Sequence, residues 1–158
     1  MRVNLPKLAV SLTLPLLTGF LGSYFTATNI PVWYANLQKP IFSPPNWVFG
    51  PVWTVLYLLM GYSFYLIWQE KKSKAKTSAV YFYLLQLGLN LIWSYLFFSL
   101  RLPPIALVEI IILWLAIFIT FLRFIKLNQT AGLLFIPYLL WVSFATYLNY
   151  QIVVLNPF

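Results

Sequence analysis

Five stretches of largely apolar side chains alternate with short polar clusters along this chain, and charge, Glu109 apart, is confined to the clusters. No Asp, Glu, Lys or Arg occurs in residues 8–38, 40–69, 77–100 or 127–158. A bilayer core is crossed by about 20 apolar residues per helix, so each of these runs holds one span. A fifth span lies between Pro104 and Leu122, interrupted only by Glu109. The pattern predicts an all-α integral membrane bundle of five transmembrane helices, roughly 8–28, 47–68, 78–99, 104–123 and 131–154, in a single domain, 1–158. Strands of a membrane barrel would alternate polar and apolar positions over segments of about ten residues, and these runs do not.

The connections refine that picture. Residues 70–77, 100–103 and 124–130 are short links, which predicts that helices consecutive in the chain lie antiparallel and adjacent. Pro103-Pro104 suits a helix stop followed by a helix start, and Asn128 to Thr130 offers a cap for the fifth span. The long connection, about 29–46, is of another kind. It leads into α-helix with Trp33, Tyr34, Trp47, Phe49, Trp53 and Tyr57 crowded around Pro31, Pro40, Pro44, Pro45 and Pro51. A plain membrane anchor has no use for such a stiff aromatic segment, whereas a lid over an apolar pocket does. On the first span Gly19, Ser23 and Ala27 stand four apart, a small-residue stripe that permits close helix approach, within this chain in preference to a dimer interface.

Composition changes the picture in two ways. With 62% hydrophobic and 8% charged residues the chain falls outside the range of soluble domains. The net charge of +8 is unevenly placed: Arg2, Lys7, Lys71, Lys72, Lys74, Lys76, Arg123 and Lys126 fall at one end of a five-span bundle, and only Lys39 and Arg101 at the other. That asymmetry predicts a cytoplasmic N-terminus, an external C-terminus and a plasma or inner membrane, with the lysine run against acidic lipid headgroups. No aromatic is interleaved with those lysines, so the partner is membrane lipid and not nucleic acid. Met1 to Lys7 resembles the basic start of a signal peptide, but Phe25-Thr26-Ala27 is a poor cleavage site and the apolar run is too long, so the span is expected to be retained.

The chain has no His and no Cys, and its only acids are Glu70 and Glu109. Zinc, iron–sulfur and Ser-His-Asp chemistry lack their parts, and a carboxylate pair is excluded because the two acids belong to opposite ends. No metal and no required cofactor is expected. What remains is aromatic and amide. Phe49, Trp53, Tyr57 and Gly61 share one helical stripe; so do Gln86, Asn90, Trp93 and Phe97, and Tyr138, Trp141, Ala145 and Leu148. Counted at about 1.5 Å per residue, these groups converge under the aromatic loop. An interfacial belt accounts for Trp33, Trp47, Trp68 and Trp114 as well as a site would; Trp53, Trp93 and Trp141 sit deeper and point to a pocket. Asn90 and Gln86 should face inward, toward a ligand or toward other helices, and both readings stand. Glu109 is the one ionisable group within a span and a functional residue by default.

Trp33-Tyr34, Leu37, Lys39-Pro40, Pro44-Pro45, Phe49-Gly50, Trp53 and Tyr57 together resemble the translocator protein family, the tryptophan-rich sensory proteins. Gln86, Asn90, Trp93-Ser94 and Phe97-Phe98 resemble its third helix, Ala106-Leu107-Val108-Glu109 its helix-four motif, and Pro137-Tyr138, Trp141, Phe144-Ala145 and Asn149 its fifth. The resemblance covers nearly the whole chain from Asn29 onward. It implies a five-helix bundle, often a homodimer, with a pocket under the first loop that binds porphyrins, notably protoporphyrin IX, and synthetic isoquinolines and benzodiazepines. It carries ligand contact to Asn90, Trp93 and Ala145, and the photochemical role of some bacterial members, which degrade protoporphyrin in light, to Trp53 and Trp141. Animal members also bind cholesterol, but Tyr150 is followed by no basic residue, so that motif is missing here. The expected function is a membrane receptor or sensor for a tetrapyrrole or other apolar small molecule. The ligand set is Trp33, Lys39, Phe49, Trp53, Tyr57, Gln86, Asn90, Trp93, Phe97, Glu109, Tyr138, Trp141 and Ala145. Lys39, Asn90 and indole N–H groups are the donors for propionates. Light-dependent porphyrin degradation and ligand transport are the alternatives.

Overall fold

The computed structural model describes residues 3–158; Arg2, counted above with the basic end, lies outside them. Helices α1 (Leu5–Ala27), α2 (Asn46–Gln69), α3 (Lys74–Ser94), α4 (Pro103–Leu127), α5 (Gln129–Leu133) and α6 (Ile136–Leu155) follow in order. A π-helical turn, Tyr95–Ser99, prolongs α3, and a short 3-10 turn, Tyr34–Asn36, sits in the long loop. Five segments are long and apolar enough to cross a membrane, the fifth being α5 and α6 together, Gln129–Leu155. The chain is an all-α integral membrane protein.

Local chemistry sets the helix ends, most of which lie a few residues outside the predicted spans. Asn4 Oδ1 accepts from Lys7 N at 3.1 Å, and Ser73 Oγ from Lys76 N at 3.1 Å, so the lysines after Ser73 form the first turn of α3. Asn128, extended at φ −152°, ends α4 and accepts from Ala131 N at 3.0 Å, the cap expected from sequence. The predicted continuous fifth span is broken at residues 134–135. Pro137 accounts for this, since it has no N–H to donate and its ring opposes the carbonyl four residues earlier.

Around the bundle the order is α1, α2, α5–α6, α4, α3 and back to α1. Consecutive helices are neighbours in most cases, but α2 and α3, joined by residues 70–73, are not packed backbone to backbone as the short link had suggested. They face each other across the middle and meet through long side chains: Phe64 and Tyr83 stack at 4.4 Å and 1°, and Tyr57 reaches Asn90. A short link ties helix ends together; side-chain bulk decides how far apart the axes run. Met60, Ile67, Tyr83, Phe124, Phe135 and Tyr138 fill the lysine-rich half of the interior completely. A second cluster, of Tyr34, Phe97, Phe98, Ala106 and Ile152, closes the loop end.

Helix α1 is the least buried of the five spans and turns Phe20 and Tyr24 outward. It lies against α2 where Gly61 has no side chain: a Cβ there would stand 2.8 Å from the Leu12 Cα and the Ser11 carbonyl oxygen. The loop is latched on both sides. Gln38 N donates to Asn156 Oδ1 at 2.9 Å and Asn156 Nδ2 returns a bond to the Gln38 carbonyl at 3.0 Å. Arg101 Nη2 donates to Asn29 Oδ1 at 3.1 Å.

Candidate functional site

Between the filled half and the loop lies a cavity of about 510 Å³ walled by α1, α2, α3 and α6. Its aromatic walls are ordered by mutual packing. The Trp53 and Tyr57 rings, one helical turn apart on α2, stack at 5.5 Å and 27°. Across the space Trp93 stacks on Phe97 at 5.2 Å and 28°. Trp141 of α6 meets Phe49 of α2 edge to face at 6.0 Å and 67°. With Ala145, these residues are the part of the sequence-predicted set that lines the cavity.

The floor is a chain of hydrogen bonds linking three helices. Tyr57 Oη donates to Asn90 Oδ1 at 2.7 Å, Asn90 Nδ2 to Tyr138 Oη at 3.2 Å, and Tyr138 Oη to Gln86 Oε1 at 2.9 Å. Asn90, Gln86 and Tyr138 are thus placed behind the lining, holding the ring of Tyr57 in position. Of the two readings left open for the amides, this structure shows the cross-helix one. Trp93 is fixed by a similar relay: its Nε1 donates to Asn149 Oδ1 at 3.2 Å, and Asn149 Nδ2 to the Pro103 carbonyl at 2.9 Å. The indole N–H of Trp141, by contrast, is buried without a partner.

The remaining predicted residues are elsewhere. Trp33 packs from the roof against Phe97, edge to face at 5.6 Å. Lys39 Nζ donates to the carbonyls of Tyr34, Ala35 and Leu37 at 2.7, 3.2 and 3.2 Å and lies 4.8 Å from the centroid of the Tyr34 ring. Burial lowers the Lys39 pKa and raises that of Tyr34. The ammonium is therefore a staple of the roof; it does not line the cavity. Glu109 is buried on α4, which contributes nothing to the walls, and neither carboxylate oxygen has a hydrogen-bond partner. No charged side chain lines the cavity among the described residues.

Sequence reasoning missed the α1 wall. Gly19, Gly22 and Ser23 line the cavity, and the Tyr57 ring occupies the place where a Cβ on Gly19 would stand. The signal was the small-residue stripe, read as a helix contact and not as room for an aromatic ring. The same helix frames the mouth. Exposed Phe20, Ser23 and Ala27 of α1 face exposed Asn46, Trp47, Gly50 and Thr54 at the start of α2 across an opening in the side of the bundle.

Comparison with known proteins matches the sequence to one family. The model of the TspO/MBR family matches residues 11–155. The chain is 44% identical over 155 residues to a tryptophan-rich protein TspO from Archaeoglobus fulgidus, covering 98% of this chain and 99% of that protein. It is 41% identical over 138 residues to the translocator protein of Homo sapiens, covering 86% and 82%. It is 40% identical over 124 residues to a tryptophan-rich sensory protein from Cereibacter sphaeroides, covering 78% and 77%. With the family model matching from within α1 to the end of α6 and relatives matched over most of both chains, this protein belongs to the TspO/MBR family.

Proposed function

We propose that this protein is a membrane receptor that holds a planar tetrapyrrole, such as protoporphyrin IX, in the aromatic cavity under the first loop, and that occupancy serves tetrapyrrole or stress regulation. The observation that carries this reading is the cavity of about 510 Å³ with stacked ring pairs on opposite walls. Its volume falls within the ~300–1,000 Å³ of sites for drug-sized ligands. Flat indole faces suit a flat conjugated ligand, and a lining without Asp, Glu, Lys or Arg among the described residues suits the binding of an apolar body. The names of the relatives, sensory and translocator proteins, are in keeping with a binding role. The test is titration of the purified protein with protoporphyrin IX in the dark, followed by tryptophan quenching: saturable quenching supports the reading, and unsaturable linear quenching contradicts it.

A second reading, light-driven oxidation of the bound porphyrin, is favoured by one observation: both Trp53 and Trp141 line the cavity, so an excited ligand would lie beside two oxidisable rings. Loss of porphyrin absorbance under illumination in air, abolished by the single variants Trp53→Phe or Trp141→Phe at porphyrin concentrations that still saturate them in the dark, separates it from sensing alone. We also propose the orientation that the charge asymmetry implies, with the lysine-rich end cytoplasmic.

A further inference from the structure

The turn that brings the long loop back to α2 has side chains ill suited to water. Ser43 N bonds the Pro40 carbonyl at 2.9 Å, so Pro40–Ser43 is a β-turn with Ile41 and Phe42 at its two corners. Turn corners are dominated by Gly, Pro, Asn, Asp and Ser. Here Ile41 is fully exposed and Phe42 half exposed, and neither lines the cavity. Phe42 lies on the outside of the bundle, stacked on Tyr147 of α6 at 5.5 Å and 14°. Tyr147 belongs to an exposed stripe of α6 with Leu140, Tyr150 and Val154, the kind of face a membrane bundle turns to lipid.

Depth decides what covers the turn. Pro103, which opens α4, accepts the Asn149 side-chain amide at its carbonyl at 2.9 Å. Between Arg101 and Arg123 the chain carries no other basic residue. From Pro103 to Arg123 α4 rises about 30 Å at about 1.5 Å per residue, the thickness of a bilayer core. Pro103 and Asn149 therefore mark the edge of the hydrocarbon at the loop end. Along α6, Asn156 lies about 10 Å outside that edge and Tyr147 about 3 Å inside it. Gln38 is latched to Asn156 and Phe42 is stacked on Tyr147, so the loop drops about 13 Å between them. That is close to the full reach of an extended chain of this length, and residues 38–40 form no helix or turn. The loop thus descends the lipid side of α6 and sets two apolar corners at the boundary between headgroups and acyl chains.

We propose that the Pro40–Ser43 turn is a membrane-seated hook: Ile41 and Phe42 insert among lipid acyl chains at the edge of the leaflet on the loop side. The partner is bilayer lipid, held by apolar contact and not by charge, because Lys39 beside the turn is occupied by roof carbonyls. Transfer of the two side chains from water to hydrocarbon supplies the hold. The Gln38–Asn156 pair fixes the loop above the membrane surface, and the hook fixes it below, so that the roof of the cavity is tied down from outside the bundle.

The chain has no cysteine, so Ile41→Cys and, as reference, Ala35→Cys each give a single attachment point for an NBD fluorophore. Ala35 is exposed on the roof, next to Tyr34, which packs in the cluster with Ile152 outside the hydrocarbon edge. Both labelled full-length proteins are placed in phosphatidylcholine vesicles. The label at 41 should emit to the blue of the label at 35, be quenched by phosphatidylcholine carrying a doxyl group near the headgroup, and be shielded from iodide. The label at 35 should show the reverse. Equal iodide quenching of both labels, with little doxyl quenching at 41, puts the turn in water and overturns the hook. Shielding of the 41 label from both quenchers means that a second copy of the chain covers the turn, and overturns it as well. Adding Phe42→Asp to Ile41→Cys should return the label to iodide. A label still quenched by doxyl lipid after that change inserts by its own affinity, and the hook is overturned.

Discussion

Tyr57 joins the cavity to the bundle that supports it. Its ring fills the place left by the missing side chain of Gly19, its face stacks on Trp53, and its hydroxyl begins the hydrogen-bond chain through Asn90 and Tyr138 to Gln86. Removing Asn90 strands buried polar groups on both sides. Asn90→Leu should cost about 1–3 kcal/mol, the penalty of an unsatisfied buried group. Asn90→Leu with Tyr57→Phe should cost less than Asn90→Leu alone, because one stranded hydroxyl disappears; unfolding in detergent measures both. Gly19→Leu should drive the Tyr57 ring from its place and weaken porphyrin binding about tenfold or more. Gly22→Ala is the control, since its Cβ would meet Ser94 Oγ at an ordinary 3.4 Å, and binding should be nearly unchanged. The helical stripes made Trp53, Trp93 and Ala145 legible as a group, because the 3.6-residue period fixes a shared face. They could not tell a lining residue from one behind it. Asn90 shares a stripe with Trp93, yet the structure turns its amide to Tyr57 and Tyr138. Lys39 was illegible as a roof staple because its partners are carbonyls of an irregular loop, which leave no mark on side-chain sequence.

Among the helices, α1 is the one held by shape more than by area. It buries few of its residues and depends on close approach to α2 at Gly61. Gly61→Ala would place a methyl against the backbone of Leu12 and Ser11, which cannot rotate away, so it should destabilise by about 1–3 kcal/mol. Gly88 on α3 has open space where its Cβ would stand. Gly88→Ala should be neutral, or stabilising by up to about 1 kcal/mol through helix propensity. Thermal unfolding in one detergent distinguishes the pair: a lower midpoint for the first, an equal or higher one for the second. The number of spans was readable because apolar runs of spanning length alternate with charge clusters. The break at residues 134–135 was signalled by Pro137. The α2–α3 separation was not, because loop length constrains only helix ends, while the aromatic bulk of Phe64, Tyr83 and Tyr138 sets the distance between axes.

The assembled bundle is asymmetric along its length: solid and basic at one end, hollow, aromatic and nearly uncharged at the other. The latched loop closes the hollow end, and exposed lining residues of α1 and α2 frame an opening in the side of the bundle. The proposed orientation puts that mouth in the outer half of the membrane. An alkaline phosphatase reporter fused after Phe158 should be active and one fused before Met1 inactive; the reverse pattern would invert the assignment. The central claim, that the hollow is a specific site for a planar tetrapyrrole, is tested most directly by dark titration of the detergent-purified protein with protoporphyrin IX beside the Trp53→Phe/Trp141→Phe variant. The account predicts saturable tryptophan quenching in the wild type and about tenfold or greater loss of affinity in the variant. Linear quenching, identical in both proteins, would mean partition into the micelle and would contradict the claim.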